Sequence, residues 1–302
     1  MNANDISRID SEQNLLNRKI TESNPAVLDL ISIRGKRIYF PKKGIISQSA
    51  EARDKDINAT IGIALAEDKS TMSLPCLSKL ADIPQKAFSY ASSCGCAELR
   101  ELWKAMILKK NHSLCGKSFS LPIVTSGLTH GLSICGYLFC DPGSRIIIPH
   151  PFWKNYELIF SHAYQTTFDT FSFFNDSDGF NIAMLREKLL SGKPGKRIVC
   201  LNFPNNPTGY TPSESEAKAI AEVFLQAATK GCKIVVLIDD AYFGLVFKRG
   251  IYTESIFSKL CNLHPNLLAV KLDGATKEDY AWGMRIGFIT YGIADSKPNL
   301  LN

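Results

Sequence analysis

Residues 197–242 read RIVCLNFPNNPTGYTPSESEAKAIAEVFLQAATKGCKIVVLIDDAY. The segment opens on a short apolar run, Arg197-Ile198-Val199-Cys200-Leu201, and closes on another, Ile234-Val235-Val236-Leu237-Ile238. Between them, Ser213 to Lys230 carries apolar residues at steps of three and four, the spacing of one buried helix face. Runs that are apolar throughout, joined by a helix, belong to a parallel sheet covered on both faces. The stretch predicts a strand, a helix and a second strand.

The same alternation extends in both directions. Upstream, the pattern predicts a helix over Ala97 to Lys110, strands at Pro122–Thr125, Arg145–Ile148 and Thr167–Thr170, and a helix from Ile182 to Ser191. Downstream it predicts strands at Leu268–Lys271 and Ile286–Thr290. The expected fold is α/β, a mainly parallel sheet flanked by helices. Residues 1 to about 50 have weak periodicity and read as an arm or peripheral helix plus extended segments. Ser191 to Arg197, SGKPGKR, lacks the pattern of a phosphate loop and reads as a turn.

Composition narrows the class. The 302 residues are 45% hydrophobic and 21% charged, as in ordinary globular proteins. The net charge of +6 is spread along the chain, so neither nucleic acid nor an acidic partner is expected. Nine cysteines, an odd number without framework spacing, point to reduced thiols and a cytoplasmic location. Cys94-Gly95-Cys96 has no further ligands at metal spacing. No apolar stretch suits a signal peptide or a membrane span, so no membrane association is expected.

In an open α/β sheet, ligands sit outside the carboxyl ends of the strands. The residues least suited to a plain core fall there. They are Ser126-Gly127-Leu128-Thr129-His130-Gly131, Pro149-His150-Pro151-Phe152-Trp153, Asn202 to Gly209, Asp239-Asp240-Ala241-Tyr242 and Gly274-Ala275-Thr276-Lys277. A glycine turn opening a helix suits a phosphate, a tryptophan can stack on a planar ring, an aspartate can pair with a ring nitrogen, and a lysine can form an imine. That set is what pyridoxal phosphate requires.

NNPTG (205–209), DDAYFG (239–244) and ATKEDYAWGMRIG (275–287) resemble the central motifs of class I/II aminotransferases, the fold type I pyridoxal-phosphate family. Residues 57–62 resemble the family's N-terminal strand beside the substrate, and Ser89-Tyr90 with Gly95 and Leu99-Arg100 resembles the segment before its first large-domain helix. The match runs from about residue 55 to residue 290. The implied domains are an arm and part of a small domain over 1–55, and a cofactor-binding large domain over 56–302.

By resemblance, Lys277 is the Schiff-base lysine and general base. Asp239, three positions before Tyr242 as in the family motif, pairs with the ring nitrogen; its neighbour Asp240 is the competing candidate, and either carboxylate could merely cap a helix. Tyr242 and Asn206 bond the phenolic oxygen; Asn206 alone would read as a turn residue. Gly127, Leu128, Thr129 and Arg285 take the phosphate, and Trp153 stacks on the ring, where it would otherwise be core. Tyr90 reaches the phosphate of a neighbouring subunit, which implies a homodimer. Gly62 and Asn206 lie on the substrate side, Gly62 against the plain reading of a strand glycine. His112 and His130 have no partner pattern and read as structural.

Two departures stand out. Gly274 replaces the hydroxyl usual three residues before the lysine, leaving Thr276 to supply one. The sequence ends at Asn302, before the family's C-terminal small domain and its carboxylate-binding arginine. The expected activity is transfer of an α-amino group between an amino acid and a 2-oxo acid. The competing readings are a β-lyase and a non-catalytic cofactor-binding chain.

Overall fold

The structure, a computed structural model, describes residues 3–37, 45–55, 57–58, 60, 62–79, 82–83 and 88–294. Ala59 and Ile61 of the expected substrate-side strand lie outside that set, and the described residues from Ile57 to Gly62 are not strand. The described N-terminal residues carry five helices, α1 (Ala3–Ser23), α2 (Pro25–Leu30), α3 (Ile33–Arg37), α4 (Ile45–Glu51) and α5 (Pro75–Ser78), with turns and an isolated Leu65–Thr71 bridge between the last two. The extended segments expected before residue 50 are not found among the described residues. A helix bonds its own backbone, whereas an extended segment there would need a partner strand.

The remaining elements alternate as the sequence predicts. They are α6 (Ala97–Lys110), β1 (Ile123–Thr125), α7 (Leu128–Phe139), β2 (Arg145–His150), β3 (Thr167–Ser172), α8 (Ile182–Leu190), β4 (Lys196–Asn202), α9 (Glu214–Thr229), β5 (Lys233–Asp239), α10 (Phe257–Leu260), β6 (Leu267–Asp273) and β7 (Gly287–Ile293). The strands form one seven-stranded sheet in the order β1-β7-β6-β5-β4-β2-β3. Strands β2 to β6 pair in parallel, and β7 runs antiparallel to both β6 and β1.

Apolar alternation across the sheet separates two cores. Val199, Leu201, Val236 and Ile238 pack with Ile220 and Phe224 of α9. Ile198, Cys200, Val235 and Leu237 pack with Leu132 of α7, Tyr156 and Phe160. Successive strand residues point to opposite faces, so a strand buried on both sides is apolar throughout. Helix α9 starts on a reciprocal cap. The Ser213 hydroxyl accepts from the Glu216 N–H at 3.2 Å, and the Glu216 carboxylate accepts from the Ser213 N–H at 2.8 Å.

The register aligns the carboxyl ends. Asn202 lies level with Asp239, and Asp239 with Leu272. The loops leaving β4, β5 and β6 therefore open at one rim of the sheet.

Candidate active site

A cavity of about 280 Å³ opens at that rim. Nine of the residues singled out in the sequence line it: Leu128, Thr129, Trp153, Asn206, Asp239, Tyr242, Thr276, Lys277 and Arg285. Asn202 and Ala241, placed at these strand ends by the sequence without a role, and Trp282, present in the 275–287 motif but given none, complete the wall.

Asp239 ends β5 on the side already occupied by Val235 and Leu237, facing α7. Its buried carboxylate accepts from the Tyr156 hydroxyl at 2.6 Å and from the Ala241 N–H at 3.0 Å. Burial raises its pKa above the usual carboxylate range, against the opposing pull of those bonds and of Lys277. Asp240 points the other way. There it pairs with the buried Lys271, accepts from the Ser255 hydroxyl at 2.6 Å, and has no part in the cavity. One residue's step across the strand end separates the two carboxylates, and Asp239, the one the motif spacing favours, is the one that lines the cavity.

The sequence reading missed Tyr156. It lies three residues after Trp153 on one helical turn, a spacing that places the two rings together. They meet edge to face at 5.5 Å, so one short segment supplies both a ring for the cavity and a hydroxyl for Asp239.

The NNPTG turn divides its asparagines. Asn205 closes the turn: its side chain accepts from the N–H (3.2 Å) and hydroxyl (2.8 Å) of Thr208. Asn206 faces the cavity, and its N–H donates at 2.6 Å to Asn202, whose amide donates at 2.7 Å to the Asp239 carbonyl. Two loops are thereby tied level with each other.

At the other end, Gly127 precedes α7 with φ of 86°, a conformation that favours glycine. A Cβ there would lie 2.8 Å from the Arg285 guanidinium. The helix N-terminus and the arginine therefore converge on one spot, with Thr129 and Thr276 beside them. His130 accepts from the Ser126 N–H at 3.1 Å and serves that turn.

Lys277 Nζ donates to the Gly62 carbonyl at 3.3 Å and stands 5.2 Å from the Tyr242 ring centre. Its pKa is lowered by burial and by the Arg285 cation, with Asp239 opposing. The Tyr242 hydroxyl is raised by burial and by Asp239. Tyr90 is fully exposed and does not line the cavity of its own chain.

Residues 64–294 match the family model for aminotransferase class I and II. The chain belongs to that family. It is 30% identical over 210 residues to a probable N-acetyl-LL-diaminopimelate aminotransferase of Bacillus subtilis, covering 68% of this chain and 48% of that one. It is 25% identical over 221 residues to an aspartate aminotransferase of Sulfurisphaera tokodaii, covering 72% and 52%. The chain spans about half the length of these curated relatives. A solved aminotransferase structure from Anaerococcus prevotii superposes with a TM-score of 0.71 at 25% identity, over 87% of this chain and 67% of that one.

Class I/II aminotransferases depend on pyridoxal phosphate, and the donor set here fits that group. A helix N-terminus with an arginine suits the phosphate, a buried carboxylate suits a ring nitrogen, and a lysine of lowered pKa suits the aldehyde. Gly274, the departure in the family motif, has a steric cause. A Cβ at that position would lie 2.8 Å from the Ile286 carbonyl and 3.2 Å from Gly287 Cα. Gly274→Ser is expected to lower stability by about 1–3 kcal/mol, the usual range for overpacking, rather than to tighten the phosphate site. Denaturant unfolding of the two proteins measures this.

Proposed function

We propose that this chain is the cofactor-bearing part of an aminotransferase that moves an α-amino group between an amino acid and a 2-oxo acid. The observation that carries the reading is Lys277, a half-buried amine of lowered pKa in a cavity that also holds Asp239, Tyr242 and Arg285. Pyridoxal phosphate, when bound, supplies an aldehyde that condenses with amines and a ring that draws electrons from the substrate Cα.

The residues do the rest. Asp239 holds a proton at the ring nitrogen, and Tyr156 and the Ala241 N–H fix that carboxylate in place. The Tyr242 hydroxyl and the Asn206 amide hold the phenolic oxygen. Trp153 covers a ring face. Gly127, Leu128, Thr129, Thr276 and Arg285 hold the phosphate, and Gly62 borders the substrate. Lys277 Nζ takes the proton from the substrate Cα and passes it on. Arg285→Gln is expected to weaken pyridoxal phosphate binding about ten- to hundredfold, from the 1.5–3 kcal/mol of a charged hydrogen bond. Absorbance titration reads this directly.

Two copies pair in this reading. Phe88 and Tyr90, both strongly exposed, leave apolar surface for a neighbour, and Tyr90 reaches that neighbour's phosphate. All nine cysteines are free, which fits the reducing cytoplasm. No helix among the described residues is long and apolar enough to cross a membrane.

The test is borohydride trapping with pyridoxal phosphate, followed by peptide mapping. A lowered pKa leaves more of Lys277 as free amine near pH 8 than an exposed lysine. A single adduct on Lys277 is therefore expected, and scattered labelling of surface lysines would refute the reading. With 2-oxoglutarate as acceptor, transamination yields glutamate, whereas β-elimination from a cysteine conjugate releases pyruvate and ammonia.

A further inference from the structure

Trp282 is absent from the roles above, yet it touches the backbone nearest the lysine. Its indole N–H donates to the Gly62 carbonyl at 3.0 Å, and Lys277 Nζ donates to the same oxygen at 3.3 Å. A carbonyl oxygen has two lone pairs, so one acceptor can serve both donors. Residue 62 leaves no spare room: a Cβ on Gly62 would lie 3.0 Å from the Tyr242 hydroxyl and 3.2 Å from Lys277 Nζ. The N-terminal segment thus touches the reactive amine through bare backbone.

The indole is itself held. Its ring packs on Tyr280 at 5.3 Å, and the Trp282 main-chain carbonyl accepts from the Arg285 guanidinium at 3.4 Å. A neutral donor suits this place. Lys277 is already depressed by Arg285, and another cation on the same oxygen would depress it further. Indole donates without adding charge and cannot accept the lysine's proton.

We propose that Trp282 is a positioning residue. It pins the Gly62 carbonyl over the Lys277 amine, so one loop carries both the lysine and the tie that holds the substrate-side wall against it. The inference rests on the reading of Lys277 as the reactive amine. It deepens that reading by naming what fixes the wall.

The test compares the wild-type chain with Trp282→Phe, which keeps a flat apolar ring and loses only the donor. Without added ligand, brief proteinase K digestion should nick Trp282→Phe within Gly62–Ala66 about three- to tenfold faster, the change in open population for one lost hydrogen bond. Cutting in β5 and β6 should not change. With pyridoxal phosphate bound, KM for L-glutamate should rise by a similar factor, with kcat within about twofold. Trp282→Gln retains an N–H donor without the ring and should restore protection. Equal nicking of wild type and Trp282→Phe overturns the proposal. So does equal behaviour of the Phe and Gln variants, since packing rather than the donor would then hold Gly62. Failure of wild-type Lys277 to take the borohydride label would instead sink the cofactor reading and leave the nicking comparison intact.

Discussion

Lys277→Ala is expected to abolish pyridoxyl labelling of the cavity peptide and to cut transamination by roughly two to four orders of magnitude, the usual contribution of a positioned acid–base group. Two losses combine. The amine that captures the aldehyde is gone, and so is the base that moves the proton at the substrate Cα. No described neighbour replaces it. Tyr242 is raised above its ordinary pKa by burial and by Asp239, so it is a poor base at neutral pH. Arg285 stays protonated under all working conditions. Stability should change little, since Lys277 is only half-buried and its Gly62 bond is long at 3.3 Å. Labelling that persists at the same peptide, or a rate within tenfold of wild type, would remove Lys277 from the mechanism.

The second large effect concerns stability. Lys271 is fully buried; it pairs with Asp240, lies 3.2 Å from Asp273, and sits 4.5 Å from the Phe243 ring centre. Asp273 also accepts from the Trp103 indole at 3.0 Å. Burial pulls the Lys271 pKa down, but the two carboxylates outweigh it and raise the pKa. Lys271→Met would leave both carboxylates in the core without a cation, which costs about 3–5 kcal/mol.

The loss should depend on pH. Burial already pushes Asp240 up to about 6 from its ordinary 3.8, even with the lysine present. A group whose folded pKa is raised adds stability below its unfolded pKa and loses it as pH rises through the folded value. Removing the cation raises Asp240 further, so the deficit should be larger at pH 8 than at pH 5. Denaturant unfolding at both values measures it. A deficit under about 1 kcal/mol at both would mean that the triad is not a significant source of stability. Neutralising the carboxylates as well, in Lys271→Met/Asp240→Asn/Asp273→Asn, should recover part of the loss.

Much of the site could be read without coordinates. Strand positions follow from apolar runs, because a strand buried on both faces has no polar alternation to conceal it. Lys277, Asp239, Asn206, Tyr242 and Arg285 stand in motifs whose spacing is set by strand ends and tight turns, and the cavity brings them together. Residues whose signal is local were accessible. Residues whose signal is a distant contact were not, as Trp282 illustrates: its partner Gly62 is 220 positions away in the chain. Tyr156 lay between the two cases, since its spacing from Trp153 was visible but its bond to Asp239 was not.

By itself the sequence determined the α/β order of elements, the family, and which loops carry the chemistry, because these depend on periodicity and residue type within a few turns of chain. Tertiary structure decided the rest. It separated Asp239 from Asp240 by the face each takes at the end of β5, and it gave Gly274 a reason in the closeness of the Ile286 carbonyl. It also brought Trp282 and Lys277 onto one carbonyl. Each of these depends on which atoms from remote segments meet, and close packing settles that only once the whole sheet and its loops are assembled.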